Sequence, residues 1–471
     1  MSENPGRRFV EWVKGQFGLK TNVLRPVPDY SLNPLYWLGA LTAIAFGLQV
    51  LTGLLMMIYY VPSTDQAYSS TLFIIQNVPL GWLLETVHLY GAYAMILLAL
   101  LHLFRGYFVS VHKKPRQMMW IVGMLMGLIV LGFGLTGYLL PWTVVSKSAT
   151  DVSVGMLSFL PVQIGPILTF LIAGAGSSSA ELTRFFDLHV IVLPAGLLSL
   201  LALKMFMFEA HGPAEPVTNV KSTGDVPWFP TIYLYFAMIG SVFVAILFAA
   251  SALFPIQLPA EYSPAAAAGY VPQPEWYFLW MYQVLKFASF EGSGIYYALA
   301  LVTILIAGLA LLPFIDRGRL RNPGTRPFYT TLGLILIGEL IVLTVWGYLT
   351  PGQVIPDMTA LEVLGSAGII VAAVSLLLLK GRIVQRVGAV VPRRLHVRAL
   401  MLPFTQRGTT AIFAVPLMIG SVSMANVANS FMTGSGSSLY SMINALFLIA
   451  SFYVMLRMMR SLTQAQRTLR R

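Results

Sequence analysis

Apolar residues dominate the chain in blocks longer than a soluble core needs, and polar residues are confined to the gaps between them. Runs near 35–60, 82–108, 117–140, 183–208, 229–252, 295–314, 330–350, 359–380, 410–431 and 438–458 each approach or exceed the roughly 20 residues with which a helix crosses a bilayer. About ten transmembrane helices are therefore expected, in an all-α integral membrane protein. The gaps are informative as well. Pro5 to Val27 mixes Phe9, Trp12, Val13 and Phe17 with Arg7, Arg8, Lys14 and Lys20, a pattern suited to a helix lying on the membrane surface. It lacks a continuous apolar core, so no cleavable signal is expected there.

Two of the runs break the apolar pattern at matched depths. The second holds His88 and His102, fourteen residues apart, which places the side chains about 40° apart around a helix and about 21 Å apart along it. The fourth run carries His189 and, fifteen residues later, Lys204, about 60° and about 22 Å apart. A single buried histidine commonly serves helix packing. Two pairs on two helices, each on one face and at two depths, are accounted for by heme iron held between facing bundle helices. Gly39 and Gly53 in the first run, and Gly123 and Gly137 in the third, repeat the fourteen-residue interval. Either pair alone would serve close helix packing; both together favour room for two flat macrocycles.

Charge changes the picture through its distribution. Of 471 residues 57% are hydrophobic and 10% charged, with a net charge of +12. Threading the helices from a cytoplasmic N-terminus leaves only Lys147, Arg184 and Lys286 of the thirty Lys and Arg on the outer side, as the positive-inside rule requires. The basicity reflects orientation and anionic membrane lipid, not nucleic acid. The chain has no cysteine, which excludes disulfides, thiolate-held iron–sulfur clusters and a thioether-attached heme within it; such centres must sit on partners.

The remaining punctuation divides the chain into a surface segment at 1–30, a four-helix diheme bundle at 31–210, a further group of helices at 211–395 and two additional helices at 396–471. A proline- and glycine-bearing connection, Glu209 to Trp228, follows the bundle. Pro255 to Gly294 is a long, aromatic, outward-facing connection, of a length more often functional than idle. The last two helices have no intramembrane charge and read as packing or a docking surface for an accessory subunit.

The motifs resemble those of the cytochrome b subunit of cytochrome bc and chloroplast-type bf complexes, in a fused form with extra C-terminal helices. The matching text is QVLTG at 49–53, HLFRG at 102–106, KKPR at 113–116, GYLLPW at 137–142, LTRFFDLHVIVLP at 182–194, PEWY at 274–277 and NPGTRPF at 322–328. The spacing from His189 to Pro194 resembles the chloroplast-type form. The resemblance implies two non-covalent b-type hemes, a quinone or quinol substrate, an iron–sulfur protein and a c-type cytochrome as partners, and a homodimeric complex, here in a prokaryotic cytoplasmic membrane. It implies His88 and His189 as ligands of the outer heme and His102 with Lys204 as those of the inner one, with Lys204 standing where the family has its fourth histidine. Lysine binds iron only as the neutral amine, which coordination itself favours; the alternatives are that Lys204 snorkels to the surface or that the inner heme is missing. Arg105 and Arg184 are expected beside heme propionates, against the plainer reading that either snorkels to the membrane surface. The family's arginine three residues before the first histidine is Glu85 here, which leaves that propionate contact in doubt.

Quinol oxidation releases two protons with two electrons, so its site needs a proton acceptor at the membrane edge. Glu275 suits that role, against the plainer reading of a helix-start carboxylate after Pro274. Tyr277, Tyr138 and Lys286 are the further candidates around the same pocket. At the inner end the family's histidine and acidic residue are not found, and Glu209, Tyr233, Tyr235 and Phe236 stand in that region. The expected function is that of a quinol:electron-acceptor oxidoreductase subunit. The alternatives are a diheme conduit to a non-standard acceptor and a heme-free transporter.

Overall fold

In the computed structural model, which describes residues 26–158, 164–173, 178–217 and 224–380 together with Trp12 and Gly15, eight helices are long and apolar enough to cross a membrane. They are α1 (Pro34–Met57), α2 (Gly81–Phe108), α3 (Gln117–Leu139), α4 (Ala180–His211), α5 (Tyr233–Leu253), α6 (Gly292–Ala310), α7 (Pro327–Leu349) and α8 (Asp357–Leu377). These match the first eight runs to within a few residues. The two runs beyond 400 and the surface segment before residue 26 lie outside the described residues, apart from Trp12 and Gly15.

The first four helices form a bundle in which α1 lies along α2, α3 along α4, and α2 against α3. Its middle is filled by Ala45, Phe46, Met95, Ile96, Val130 and Leu197, all buried. On α2, Met95 and Ile96 fall halfway between His88 and His102. The apolar layer thus separates two levels at which polar side chains enter the bundle. The stretch Leu188–Val192 in α4 is a π-helical turn, and its cause is local. Pro194 has no N–H to give to the carbonyl four residues back and its ring crowds that carbonyl, so the ladder widens there. His189 sits on this turn.

Helix α5 packs against α2, burying Leu247 and Ala252 beside Leu83 and Val87. A two-residue antiparallel pairing of β1 (Val27–Pro28) with β2 (Asp225–Val226) closes the connection between α4 and α5 onto the start of the bundle. In the second half, α7 lies along α8 and against the short helix Leu279–Leu285. The two halves are joined at the end where His102 and Lys204 lie. There Asp316 receives His112 Nε2 at 2.9 Å and Lys113 Nζ at 3.0 Å, and Arg326 also pairs with it. Lys113 Nζ further donates to the carbonyls of Gly318 and Leu320, each at 2.6 Å.

The connection from α3 to α4 carries two helices too short to span, Val144–Ser158 and Ile164–Ala173. The connection from α5 to α6 is ordered rather than loose. Ser263 Oγ caps a turn by accepting from Ala266 N at 3.1 Å, and a 3-10 turn, Trp276–Phe278, leads into Leu279–Leu285.

Candidate functional site

His88 and His189 face each other across the bundle with ring centroids 6.3 Å apart. That spacing matches a shared metal: a metal–imidazole bond runs about 2.0–2.1 Å and each centroid lies about 1.1 Å beyond its nitrogen, which sums to about 6.2–6.4 Å. The outer nitrogens are fixed by threonines. Thr52 Oγ1 lies 2.8 Å from His88 Nδ1 and donates to Leu48 O at 2.8 Å. Thr136 Oγ1 lies 2.9 Å from His189 Nδ1 and donates to Gly132 O at 2.8 Å. A hydroxyl has one proton. With that proton given to the helix carbonyl, each threonine accepts from Nδ1–H, so each Nε2 keeps a lone pair for a metal, the arrangement that orients metal-bound histidines generally.

Each of the four glycines lies under one of the four proposed ligands. A methyl group on Gly53 would come within 3.3 Å of the His88 ring, and one on Gly137 within 2.6 Å of His189. At the second level a methyl on Gly39 would meet His102 at 3.0 Å, and one on Gly123 would meet Lys204 Nζ at 3.1 Å. Lys204 therefore extends across the bundle to α3 rather than along α4 to the surface. Of the alternatives for this residue, snorkelling is not what the side chain does. Among the described residues His102 Nδ1 has no hydrogen-bond partner. The residues preceding Gly53 and Gly137 are threonines, whereas those preceding Gly39 and Gly123 are Leu38 and Val122. The His88–His189 level is thus pinned by hydroxyls and the His102–Lys204 level is not. Both donor sets have the chemistry to hold a heme iron, His88 and His189 with two imidazoles and His102 and Lys204 with one imidazole and one amine.

The arginines are placed differently from each other. Arg105 stacks its guanidinium over the Tyr36 ring at 4.0 Å, one turn from His102, while the Tyr36 hydroxyl donates to Ala214 O at 2.8 Å. Arg184 instead bonds the carbonyls of Phe170 and Leu171 at the end of Ile164–Ala173. Its guanidinium is engaged by this outer helix and not by the histidine level. Glu85, three residues before His88, has a buried Oε2 with no partner among the described residues.

Glu275 lines a cavity of about 290 Å³ together with Tyr138, Gln273, Pro274, Trp276 and Tyr348. Although it begins the turn Trp276–Phe278, its carboxyl does not cap that turn. It reaches into the bundle instead, where Tyr93 on α2 donates to Oε2 at 2.6 Å. Burial pushes this carboxyl above the usual carboxylate range, and the Tyr93 hydrogen bond pulls against that rise. The helix-start reading of Glu275 is thereby excluded, since a capping carboxylate would face the turn's own N–H groups.

The other candidates divide. Tyr138 lines the cavity. Tyr277 is buried and donates to Gly134 O at 3.0 Å, so it anchors the turn to α3 beside the cavity. Lys286 does not join this group: it donates to the carbonyl and the hydroxyl of Thr350 and lies 4.7 Å from the Tyr282 ring centroid. Burial lowers its ammonium to about 8. It caps the end of α7, a structural position. At the inner end the Tyr235 hydroxyl donates to Leu32 O at 2.5 Å, and Trp37 packs on both Tyr235 and Phe236.

Three residues of the site escaped the sequence reading. Thr52 and Thr136 are signalled by a repeated Leu-Thr-Gly, at 51–53 and 135–137. Tyr93 is signalled by its depth, because a tyrosine well inside a span is displaced from the interfaces it normally occupies.

The comparisons with known proteins agree with this geometry. The family model for cytochrome b/b6/petB matches residues 23–212, and that for cytochrome b(C-terminal)/b6/petD matches 270–366. The cytochrome bc complex cytochrome b subunit of Chlorobaculum thiosulfatiphilum is 33% identical over 348 residues, covering 70% of this chain and 80% of that one. Cytochrome b of Sulfolobus acidocaldarius is 31% identical over 401 residues, covering 78% and 70%. A solved structure of a hyperthermophilic respiratory Complex III aligns with a TM-score of 0.61 at 25% identity, covering 79% of this chain and 95% of that one. With both halves matched in order and the paired histidine level assembled between α2 and α4, the chain belongs to the cytochrome b/b6 family.

Proposed function

We propose that the protein is the cytochrome b subunit of a quinol-oxidising bc-type complex, working with an iron–sulfur protein and a c-type cytochrome in a homodimeric assembly, its N-terminus cytoplasmic. His88 and His189 hold one b-type heme near the outer face, and His102 and Lys204 hold a second toward the inner face. When bound, the hemes supply one-electron redox chemistry at two depths of the membrane.

The chain's own residues handle the quinol and its protons. The aromatic wall of the cavity, Tyr138, Trp276 and Tyr348, suits a flat quinol ring. Glu275 accepts a proton from the quinol hydroxyl, and its raised affinity brings it nearer the range in which a carboxylate exchanges protons at neutral pH. The observation that carries this reading is the reach of Glu275 to α2, the helix of His88, which sets the proton acceptor beside the outer ligand level. Family membership leaves the transporter alternative without support. The conduit alternative retains one observation: the inner Tyr36 and Tyr235 hydroxyls are both given to backbone carbonyls, so neither proton is free for a quinone.

Glu275→Gln tests the proposal. The amide cannot take the proton, so quinol oxidation by the assembled complex should fall at least about tenfold with both heme bands retained. Undiminished turnover would remove Glu275 from the mechanism.

A further inference from the structure

Tyr93 belongs to none of the motifs that carry the family resemblance, yet it makes the one side-chain hydrogen bond that Glu275 receives among the described residues. We propose that Tyr93 is a positioning residue for quinol oxidation: its phenol holds the Glu275 carboxyl turned into the bundle and sets the pH below which that carboxyl stops accepting protons. The inference rests on the reading of Glu275 as the proton acceptor.

Three observations carry it. The first is the bond itself, 2.6 Å from Oη to Oε2, within the roughly 2.5–2.7 Å of a hydroxyl donating to an ionised carboxylate. The second is that the phenol has little freedom. The ring is held edge-on by Trp276 with centroids 6.3 Å apart, tilted against Tyr277 at 6.3 Å and stacked on Tyr90 at 6.2 Å. A donor fixed in this way selects one carboxylate orientation rather than following it. The third is depth: Tyr93 lies five residues beyond His88, about 7.5 Å further into the membrane. A carboxylate tied there is drawn inward from the aqueous edge, with Oε1 left for the substrate. Proton release then requires the tie to break, so that the carboxyl turns back toward the outer side.

The sign of the effect follows from the surroundings. The titratable groups facing Glu275 are Tyr93 from α2, Tyr138 from α3, Tyr270 from the same connection and Tyr277 from its own turn. All are phenols, whose ordinary ionisation near pH 10 leaves them uncharged where the enzyme works. Burial raises the carboxyl's proton affinity, and the Tyr93 hydrogen bond, made to the ionised form, lowers it. Removing the phenol hydroxyl therefore raises that affinity further, and the acid limb of the pH–rate profile moves to higher pH.

The test uses the assembled complex with decyl-benzoquinol as reductant, following kcat and KM between pH 5 and 9. Tyr93→Phe should move the acid limb of kcat upward by about one pH unit, with KM within twofold of the parent and both heme bands unaltered. Tyr93→His, which keeps a ring donor, should move it less. If Tyr93→Phe fails to assemble, Tyr93→Leu reads the same limb without adding a polar group. An unmoved limb in these variants, in a complex whose Glu275→Gln form is slow, rejects the tether and leaves the proton-acceptor reading standing. Full turnover in Glu275→Gln rejects both. Adding Tyr93→Phe to Glu275→Gln should lower the rate no further; an additional drop would show that Tyr93 acts through packing alone.

Discussion

The four glycines under the ligand side chains respond to the same substitution in a graded way that the geometry sets. A methyl carbon on Gly137 lies 2.6 Å from Cε1 of His189, where packed carbon atoms sit at about 3.5–4.0 Å. The ring must therefore retreat by about 1 Å. Its surroundings resist: Thr136 holds Nδ1 at 2.9 Å, Phe133 meets the ring edge-on at 5.5 Å and His88 faces it at 6.3 Å. Overpacking of this kind costs about 1–3 kcal/mol, and a metal–ligand distance tolerates only about 0.2 Å. Gly137→Ala should thus empty the outer heme site and spare the inner one. Gly53→Ala, at 3.3 Å from His88, needs a shift of only a few tenths of an ångström and should keep the outer heme with a displaced midpoint. At the inner level Gly39→Ala meets the His102 ring at 3.0 Å, whereas Gly123→Ala meets the tip of Lys204 at 3.1 Å, a flexible end that gives way. The expected order of damage is Gly137, Gly39, Gly53, Gly123. Heme per chain and reduced-minus-oxidised spectra with redox titration measure it. A Gly137→Ala complex with a full outer heme at the parental midpoint would refute the reasoning, as would Gly123→Ala proving the more harmful of those two.

Lys204→Ala, which leaves no donor atom at that position, should convert the inner heme from low spin to high spin and leave the outer one untouched; an unaltered spin state would show that Lys204 is not a ligand. Thr136→Val removes the acceptor for His189 Nδ1 and should lower retention of the outer heme by about 10–100-fold, read as heme lost on dilution in detergent, with equal retention counting against the threonine's role. Burial opposes ionisation of Asp316, but His112, Lys113 and Arg326 outweigh it and hold the carboxyl below its usual range. Its stabilising contribution is therefore complete above the unfolded value near pH 4 and is lost as pH falls through the lower folded value. Asp316→Asn, which leaves buried cations uncompensated, should cost about 3–5 kcal/mol at neutral pH and flatten the acid dependence of thermal unfolding, and equal melting of the two forms at pH 7 would contradict this.

The eight described membrane helices were legible because hydrocarbon permits few alternatives: a backbone that finds no water must bond within its own segment, so apolar length alone marks a span. The two levels at which polar side chains enter the bundle were legible for the same reason, since helical spacing is rigid enough that intervals of fourteen and fifteen residues fix both face and depth. The matching interval of the glycine pairs was legible too, but which side chain each glycine lies under came from the packing. What the spacing left open was which side chains meet across elements far apart in sequence. Glu275 and Tyr93 are separated by 182 positions, and no local rule relates a turn after α5 to the middle of α2. Lys286 and Arg184 show the same limit. The end of α7 takes one and the carbonyls of Ile164–Ala173 take the other. Long cationic side chains go to whichever unsatisfied carbonyls the packing brings near, and only the tertiary structure decides which those are.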